Sequence, residues 1–394
     1  MWTKQLVLTI GAVLALVQTG VSGSCGGDLK VKSQEDLEAI KGCQSYSGNI
    51  LVDQTGIADL KLNGVEMLQG DLTISNNDGL QRISFPKLQG VNGQIRLLNN
   101  KALSGLDMPL LTALRNFELS VHPALNEVKF PAGLTQVEQF SIADTTVVRL
   151  EGLKMSVIKD MAITNNIYLK QLSVGNLTKI AGSLTVSANS PALNADFNGV
   201  QGMKMGTFRN LAGISLKELR QVSGDISFIT NTFTTLELPS MTGIAGTLTI
   251  TDNMRLDNLS LPSLTHLGGA LSVAGNNELT TVNAFPRLEE VDGTLDIVGN
   301  FDQVELPVLA DVRGGLNVQT SSSHFSCDHI NQLKKGVIKG NSFACKASVA
   351  KPKSGLRTGK GGFDDESAAV NSLYHSSQCG LFLALSFTTL YTLL

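Results

Sequence analysis

The sequence predicts a β-solenoid: a right-handed parallel β-helix of about thirteen coils with disulfide-stapled caps. Three observations predict it. A Gly-x-Leu-x-Ile-like motif recurs about every 22 residues. Its first apolar residue falls at Ile50, Leu72, Ile95, Phe117, Phe140, Met161, Leu184, Phe208, Ile226, Leu248, Leu271, Leu295 and Leu316. A fixed period of this size marks a repeat array, in which each unit buries its apolar face only against its neighbours. Eight of the thirteen repeats carry Asn five places after that anchor: Asn77, Asn100, Asn166, Asn189, Asn231, Asn253, Asn276 and Asn300. Finally, four cysteines bracket the array as two pairs, Cys25 with Cys43 and Cys327 with Cys345.

At the N-terminus, residues 1–23 read as a secretory signal peptide. Lys4 precedes an apolar run from Leu6 to Val17, and small residues lead to a cut after Gly23. The run is too short to cross a bilayer, which takes about 20 residues. An exported chain meets an oxidising space, and neither cysteine pair has CxxC spacing, so disulfides are favoured over metal binding. Each pair has 17 residues between its members. A loop of that size adds about 3 kcal/mol. Ser33-x-x-Asp36 forms a capping box ahead of Leu37 to Ile40, and Gly42 ends the turn. A short helix tied by Cys25 and Cys43 would cover the first coil, as solenoid ends require.

Within a repeat such as Gly70 to Asn77, Leu72 and Ile74 alternate with polar neighbours and so face one side of a short strand. Asn in register with those strands can stack from coil to coil and hydrogen-bond the turn backbone, which is costly to bury unpaired. His122 takes the same place in its own repeat. Seven of the ten prolines (Pro86, Pro109, Pro131, Pro239, Pro262, Pro286 and Pro307) fall after the ladder position. They mark an outer turn, because Pro cannot donate to a sheet. One long parallel sheet with irregular far sides is expected. Register weakens near residues 195–225, where Phe208 to Ile226 is a step of only 18. The alternatives there are a shortened coil and a seam. Asn176-Leu-Thr and Asn258-Leu-Ser are acceptors for N-glycosylation.

Past the last anchor, Ser326 precedes a helical stretch to Lys335, with Gly336 as stop and Cys345 as staple. The solenoid body spans residues 24–346, and the Lys-, Gly- and Ser-rich residues 347–367 read as a flexible stalk. Residues 368–394 read as a GPI-attachment propeptide, with Ser367 as acceptor and Asn371 as the alternative. The apolar tail Leu381 to Leu394 falls short of a membrane span. Cys379 lies in the segment removed, leaving four cysteines. The plasma membrane is then a partner through the glycolipid.

A net charge of −3 favours neither nucleic acid nor an acidic membrane. The residue after each anchor lies on the exposed sheet face: Leu51, Thr73, Arg96, Glu118, Ser141, Ala162, Thr185, Arg209, Ser227, Thr249, Ser272, Asp296 and Asn317. Glycoside hydrolysis needs two carboxylates about 5–10 Å apart, and no neighbouring positions of this row supply them. Arg96 and Glu118 are placed to pair with each other. The Thr and Ser hydroxyls could bond sugars, although Thr is also simply a good strand former. His324, Cys327 and His329 have a faintly metal-like spacing, but an oxidised Cys327 cannot ligate, and Glu289-Glu290 read as solvated. No catalytic residue, metal ligand or cofactor site is expected.

The run from Cys25 through Gly48-Asn49-Ile50, followed by the Gly-x-Leu-x-Ile-x-x-Asn repeats, resembles the leucine-rich-repeat-like receptor L-domain. The closing segment Cys327-Asp328, Gly336 to Gly340 and Cys345-Lys346, with the GPI signal, resembles the fungal GPI-anchored cell-wall organisation proteins and their sporulation-specific relatives. The resemblance covers about residues 25–346. It implies a place at the plasma membrane or linked to wall glucan, a role in wall integrity, and no catalytic motif. Family stalks are often long and Ser/Thr-rich, whereas residues 346–369 are short and poor in Thr. The expected function is therefore wall organisation by a non-catalytic surface protein. The alternatives are an adhesion or receptor ectodomain that binds a glycan or protein and, third, a polysaccharide-active β-helix enzyme. The sequence carries no signal for an oligomeric state.

Overall fold

Alternation of buried and exposed residues builds the main strands, and each strand pairs in parallel with its counterpart one period away. The computed structural model describes residues 25–355, in two units that divide between Val200 and Gln201. Each unit is a parallel β-solenoid. The signal segment, Cys379, Ser367, Asn371 and the GPI propeptide lie outside the described residues.

In the first unit the register runs Ile50, Leu72, Ile95, Phe117, Phe140, Met161, Leu184, each opposite the next. The array starts one strand earlier than the first anchor, because Leu29–Val31 pairs with Ile50–Val52. Inward residues are almost fully buried. Each buried aliphatic side chain contributes about 1.5–3 kcal/mol before chain entropy is counted. Phe117 and Phe140 stack with ring centres 5.3 Å apart, and Phe130 meets Phe117 edge-on at 5.5 Å.

In the second unit Ile226, Leu248, Leu271, Leu295 and Leu316 stand in register, and Phe343–Lys346 adds a last strand beside Leu316–Gln319. Here one anchor is corrected. Gly206, not Phe208, lies opposite Ile226, while Phe208 lies opposite Phe228. The step is therefore 20 residues rather than 18. Gly206 has no side chain to signal its place, and the Phe208 ring lies over it, 3.0 Å from where a Cβ would sit. Consequently Thr207, not Arg209, continues the row beside Ser227, and the exposed face expected for this row is corrected in the second unit, where Ser227, Ser272, Asp296 and Asn317 are buried.

The far sides are more regular than expected. Leu60, Ile83 and Leu106 centre a three-stranded side sheet of Asp59–Lys61, Arg82–Ser84 and Gly105–Asp107. Glu127–Leu134 pairs with Arg149–Leu153, and in the second unit Thr235–Glu237 pairs with Asn258–Ser260. A short apolar centre between polar residues suffices for these strands. Pro131 falls where the pairing slips, between Lys129 and Leu134, consistent with its missing donor.

Both ends carry short helices. Helix α1 (Gln34–Glu38) starts where the Asp36 carboxylate accepts from the Lys32 and Ser33 amides at 2.7 and 3.1 Å. Leu37 is buried beneath it, and Cys25–Cys43 closes it to the first strand. Helix α2 (Asp328–Leu333) follows Ser326, whose Oγ accepts from the Asp328 amide at 3.1 Å, and Cys327–Cys345 closes that end.

The stalk expectation is corrected at its start. Residues 347–355 do not leave the body after Lys346. The Val349 amide donates to the Thr320 carbonyl at 3.0 Å, and Asn317 Nδ2 donates to the Lys353 carbonyl at 3.0 Å. Ser354 Oγ and the Gly355 amide then donate to the Asp296 carboxylate at 2.5 and 2.9 Å. An outward carboxylate and two outward amides on the last coils supply the bonds that hold this strap to the sheet.

Candidate functional site

Three features of the solenoid can carry chemistry: the turn ladder, the outward sheet rows and a groove on the side sheet. The ladder begins with backbone strain. The residue four places after ten of the register positions has positive φ, from 52° to 62°: Gln54, Asn76, Asn99, Val121, Asp144, Asn165, Ala188, Asn210, Thr230 and Asp252. That turn aims the next side chain into the stack. Asn77 Nδ2 donates to the Val52 and Ser75 carbonyls at 3.2 and 2.8 Å, while the Asn77 amide donates to Asn100 Oδ1 at 3.1 Å. Asn166 and Asn189 repeat the pattern, with the Asn166 amide 3.1 Å from Asn189 Oδ1. So do Asn231, Asn253 and Asn276, with amide-to-Oδ1 distances of 2.9 and 3.0 Å along the run. Leu211 takes the ladder place beside Asn231 and donates its amide to Asn231 Oδ1 at 3.0 Å.

Asn300 departs from the expected ladder. It is exposed and accepts only from Ser321 Oγ at 2.8 Å, while Phe301 fills the interior. The physical reason is the turn: Gly275 has φ of +68°, but Gly299 has no left-handed twist, and its strand runs on to pair with Thr320.

His122 is buried at its ladder position, with Nε2 3.3 Å from Asn100 Nδ2. Burial lowers its pKa from 6.5 to about 4, against the Ser120 carbonyl, which raises it. The imidazole is thus a neutral stand-in for Asn. Sequence reading missed a second row at the strand entrance. The Asn49 amide donates to Asp28 at 3.0 Å, that of Asp71 to Asn49 at 2.9 Å, and that of Gln94 to Asp71 at 3.1 Å. Asp160 and Asp225 accept likewise from the amides of Ser183 and Thr247, at 2.9 and 2.7 Å. The available signal was Asp or Asn just before the anchor.

On the outward face, Arg96 Nε lies 2.8 Å from Glu118 Oε2. Thr207, Ser227, Thr249, Ser272, Asp296 and Asn317 form one row in register in the second unit. Asp296 is fully buried under the strap, and desolvation raises its pKa against the Ser354, Asn317 and Gly355 hydrogen bonds. In the first unit an open groove of about 580 Å3 is bordered by Lys61, Arg82, Asp107, Glu127 and Lys129. Glu127 there pairs with Lys129 at 2.7 Å and Arg149 at 3.5 Å. Cys327 is in its disulfide, and His324 faces the Asp302 carboxylate at 3.7 Å. Asn176 is exposed in a turn, and Asn258 is exposed at the start of a side strand; neither lies on the main sheet. Among the described residues no helix is long and apolar enough to cross a membrane.

A cell-surface GPI-anchored protein of Arthroderma benhamiae is 30% identical over 353 residues, covering 90% of this chain and 89% of the relative. The cell wall protein ecm33 of Schizosaccharomyces pombe is 31% identical, covering 88% and 82% respectively. The chain belongs to the Ecm33 family of fungal GPI-anchored surface and wall proteins. Sporulation-specific protein 2 of Saccharomyces cerevisiae is 28% identical, over 82% of this chain and 62% of that protein. No family model and no solved structure matches the chain. In this Ecm33-family chain, the stacked polar rows are therefore features of a surface protein's scaffold.

Proposed function

We propose that this chain is a non-catalytic structural protein of the fungal cell surface, glycosylated at Asn176 and Asn258, GPI-anchored at Ser367 (or Asn371) and supporting wall organisation. The observation that carries the reading is where its polar groups go. The ladder and strand-entrance carboxamides and carboxylates are spent on backbone amides of the adjacent coil. Groups committed in this way stiffen the stacked coils of each unit and do not converge on a substrate.

Gene replacement tests the proposal. Cells carrying a version truncated before the GPI signal should be sensitive to wall-perturbing dyes, although the secreted body stays folded. Wild-type resistance in such cells would remove the anchored role. A glycan-binding reading draws on the part-exposed, in-register hydroxyls of Thr207 and Thr249, between which Ser227 is buried. Glycan-array binding lost in Thr249→Val would favour it, with wall glucan as the first ligand to try. Release of reducing sugar from wall glucan would instead favour an enzyme.

A further inference from the structure

We propose that His266, Glu290 and Asp292 in the second unit form a binding site for a divalent first-row transition ion of the Zn2+ type. Adjacent coils bring them together. His266 stands opposite Glu290, and Glu290 opposite Asp311. Two residues further along each strand come Gly268, Asp292 and Arg313. Gly268 must lack a side chain, because a Cβ there would lie 2.4 Å from the Ala245 carbonyl oxygen. Nothing therefore covers Asp292 from that coil, and His266 leans over it.

The atoms divide into two sides. Arg313 lies against one oxygen of each carboxylate, Oε1 of Glu290 and Oδ1 of Asp292, the latter at 2.9 Å but without hydrogen-bond alignment. The other oxygens face His266: Glu290 Oε2 lies 3.3 Å from Nδ1, and Asp292 Oδ2 lies 3.8 Å from Nε2. One ligand atom from each of the three residues lies within 4.8 Å of the others. Donor atoms around a tetrahedral ion with bonds of about 2.0–2.1 Å stand about 3.3 Å apart, and because His266 ligates through one ring nitrogen, one of the two carboxylates must swing to that nitrogen's side to close the set. Arg313 acts as the outer partner that orients the ligating carboxylates.

Charge gives a second argument. Glu290, Asp292 and Asp311 oppose one guanidinium, leaving two negative charges in excess when His266 is neutral. Asp311 Oδ1 is buried without a hydrogen-bond partner, and its Oδ2 is 3.5 Å from Arg313 Nε. One imidazole with two carboxylates suits Zn2+ or its neighbours, whereas Ca2+ and Mg2+ prefer oxygen alone.

The test is calorimetric titration of the chelator-treated folded protein with Zn2+ at pH 7, repeated with Co2+ under visible spectroscopy. One equivalent of Zn2+ should bind and resist a large excess of Ca2+. Binding should weaken at least about tenfold in His266→Gln and in Glu290→Gln, with far-UV circular dichroism checking that each is folded. Co2+ should give d–d bands that vanish in His266→Gln. No binding, equal binding by His266→Gln, or displacement by Ca2+ would overturn the proposal and leave an ion-pair cluster around Arg313. Should a variant misfold, the Ca2+ competition on the native protein still decides.

Discussion

Val121 sits at φ of 62°, a left-handed conformation that its β-branched side chain resists, and it is exposed. Most other coils place Asn, Asp or Gly there. Val121→Asn should stabilise by about 1–2 kcal/mol, read as a rise in Tm. His122 makes stability depend on pH. Above its ordinary pKa of 6.5 the imidazole is neutral folded or unfolded, and its contribution is complete. Between 6.5 and about 4 the unfolded chain binds a proton that the native site refuses, so stability falls as pH drops. The total is about 3 kcal/mol. Denaturant melts from pH 7 to 4 should show it, and His122→Asn should flatten the profile. The ladder positions were legible because Asn recurs at a fixed offset. Asn300 was not, because the offset does not report whether the preceding residue turns left-handed. Gly206 was illegible for a related reason: an anchor without a side chain leaves no apolar mark, and Phe208 takes its place in the pattern.

At the scale of the element, the coil-to-coil turn is the cooperative unit. Asn253→Ala removes acceptors and donors that serve the Asn231 amide and the Phe228 carbonyl. It should cost about 1–3 kcal/mol for each buried group left unpaired. Asn300→Ala, at the same offset but exposed, should cost under about 0.5 kcal/mol. Equal losses in chemical denaturation would contradict the distinction. The strap 347–355 is a second element whose contacts can be tested. Deleting it uncovers Asp296, and hydrogen exchange should then quicken at the last coils while coils nearer Ile226 keep their protection. The strap was read as stalk because Lys, Gly and Ser rarely mark a packed segment. Its bonds come from outward Asp296, Asn317 and Gln319, whose role composition does not reveal. The His266 cluster escaped notice likewise. It lies on short strands ahead of the anchors, away from the row the repeat makes conspicuous.

At the scale of the whole molecule, the period alone was enough to predict stacked parallel coils, and the flanking cysteines marked the ends. The division at Val200 falls inside the stretch where the repeat weakens. Reducing both disulfides should loosen α1 and α2 first, seen as early loss of amide protection there, because each cap is tied by one bridge. The central claim is that each coil is a self-contained layer whose register partner lies one period away. Deleting a whole layer tests it most directly. Removal of residues 248–270 takes out one anchor-to-anchor step and leaves Asn231 facing Asn276. Thermal unfolding of this variant should remain cooperative, with β-type circular dichroism and a modestly lower Tm. Deletion of residues 248–258 alone, half a layer, should abolish the transition. Equal collapse of both variants would contradict the layered account.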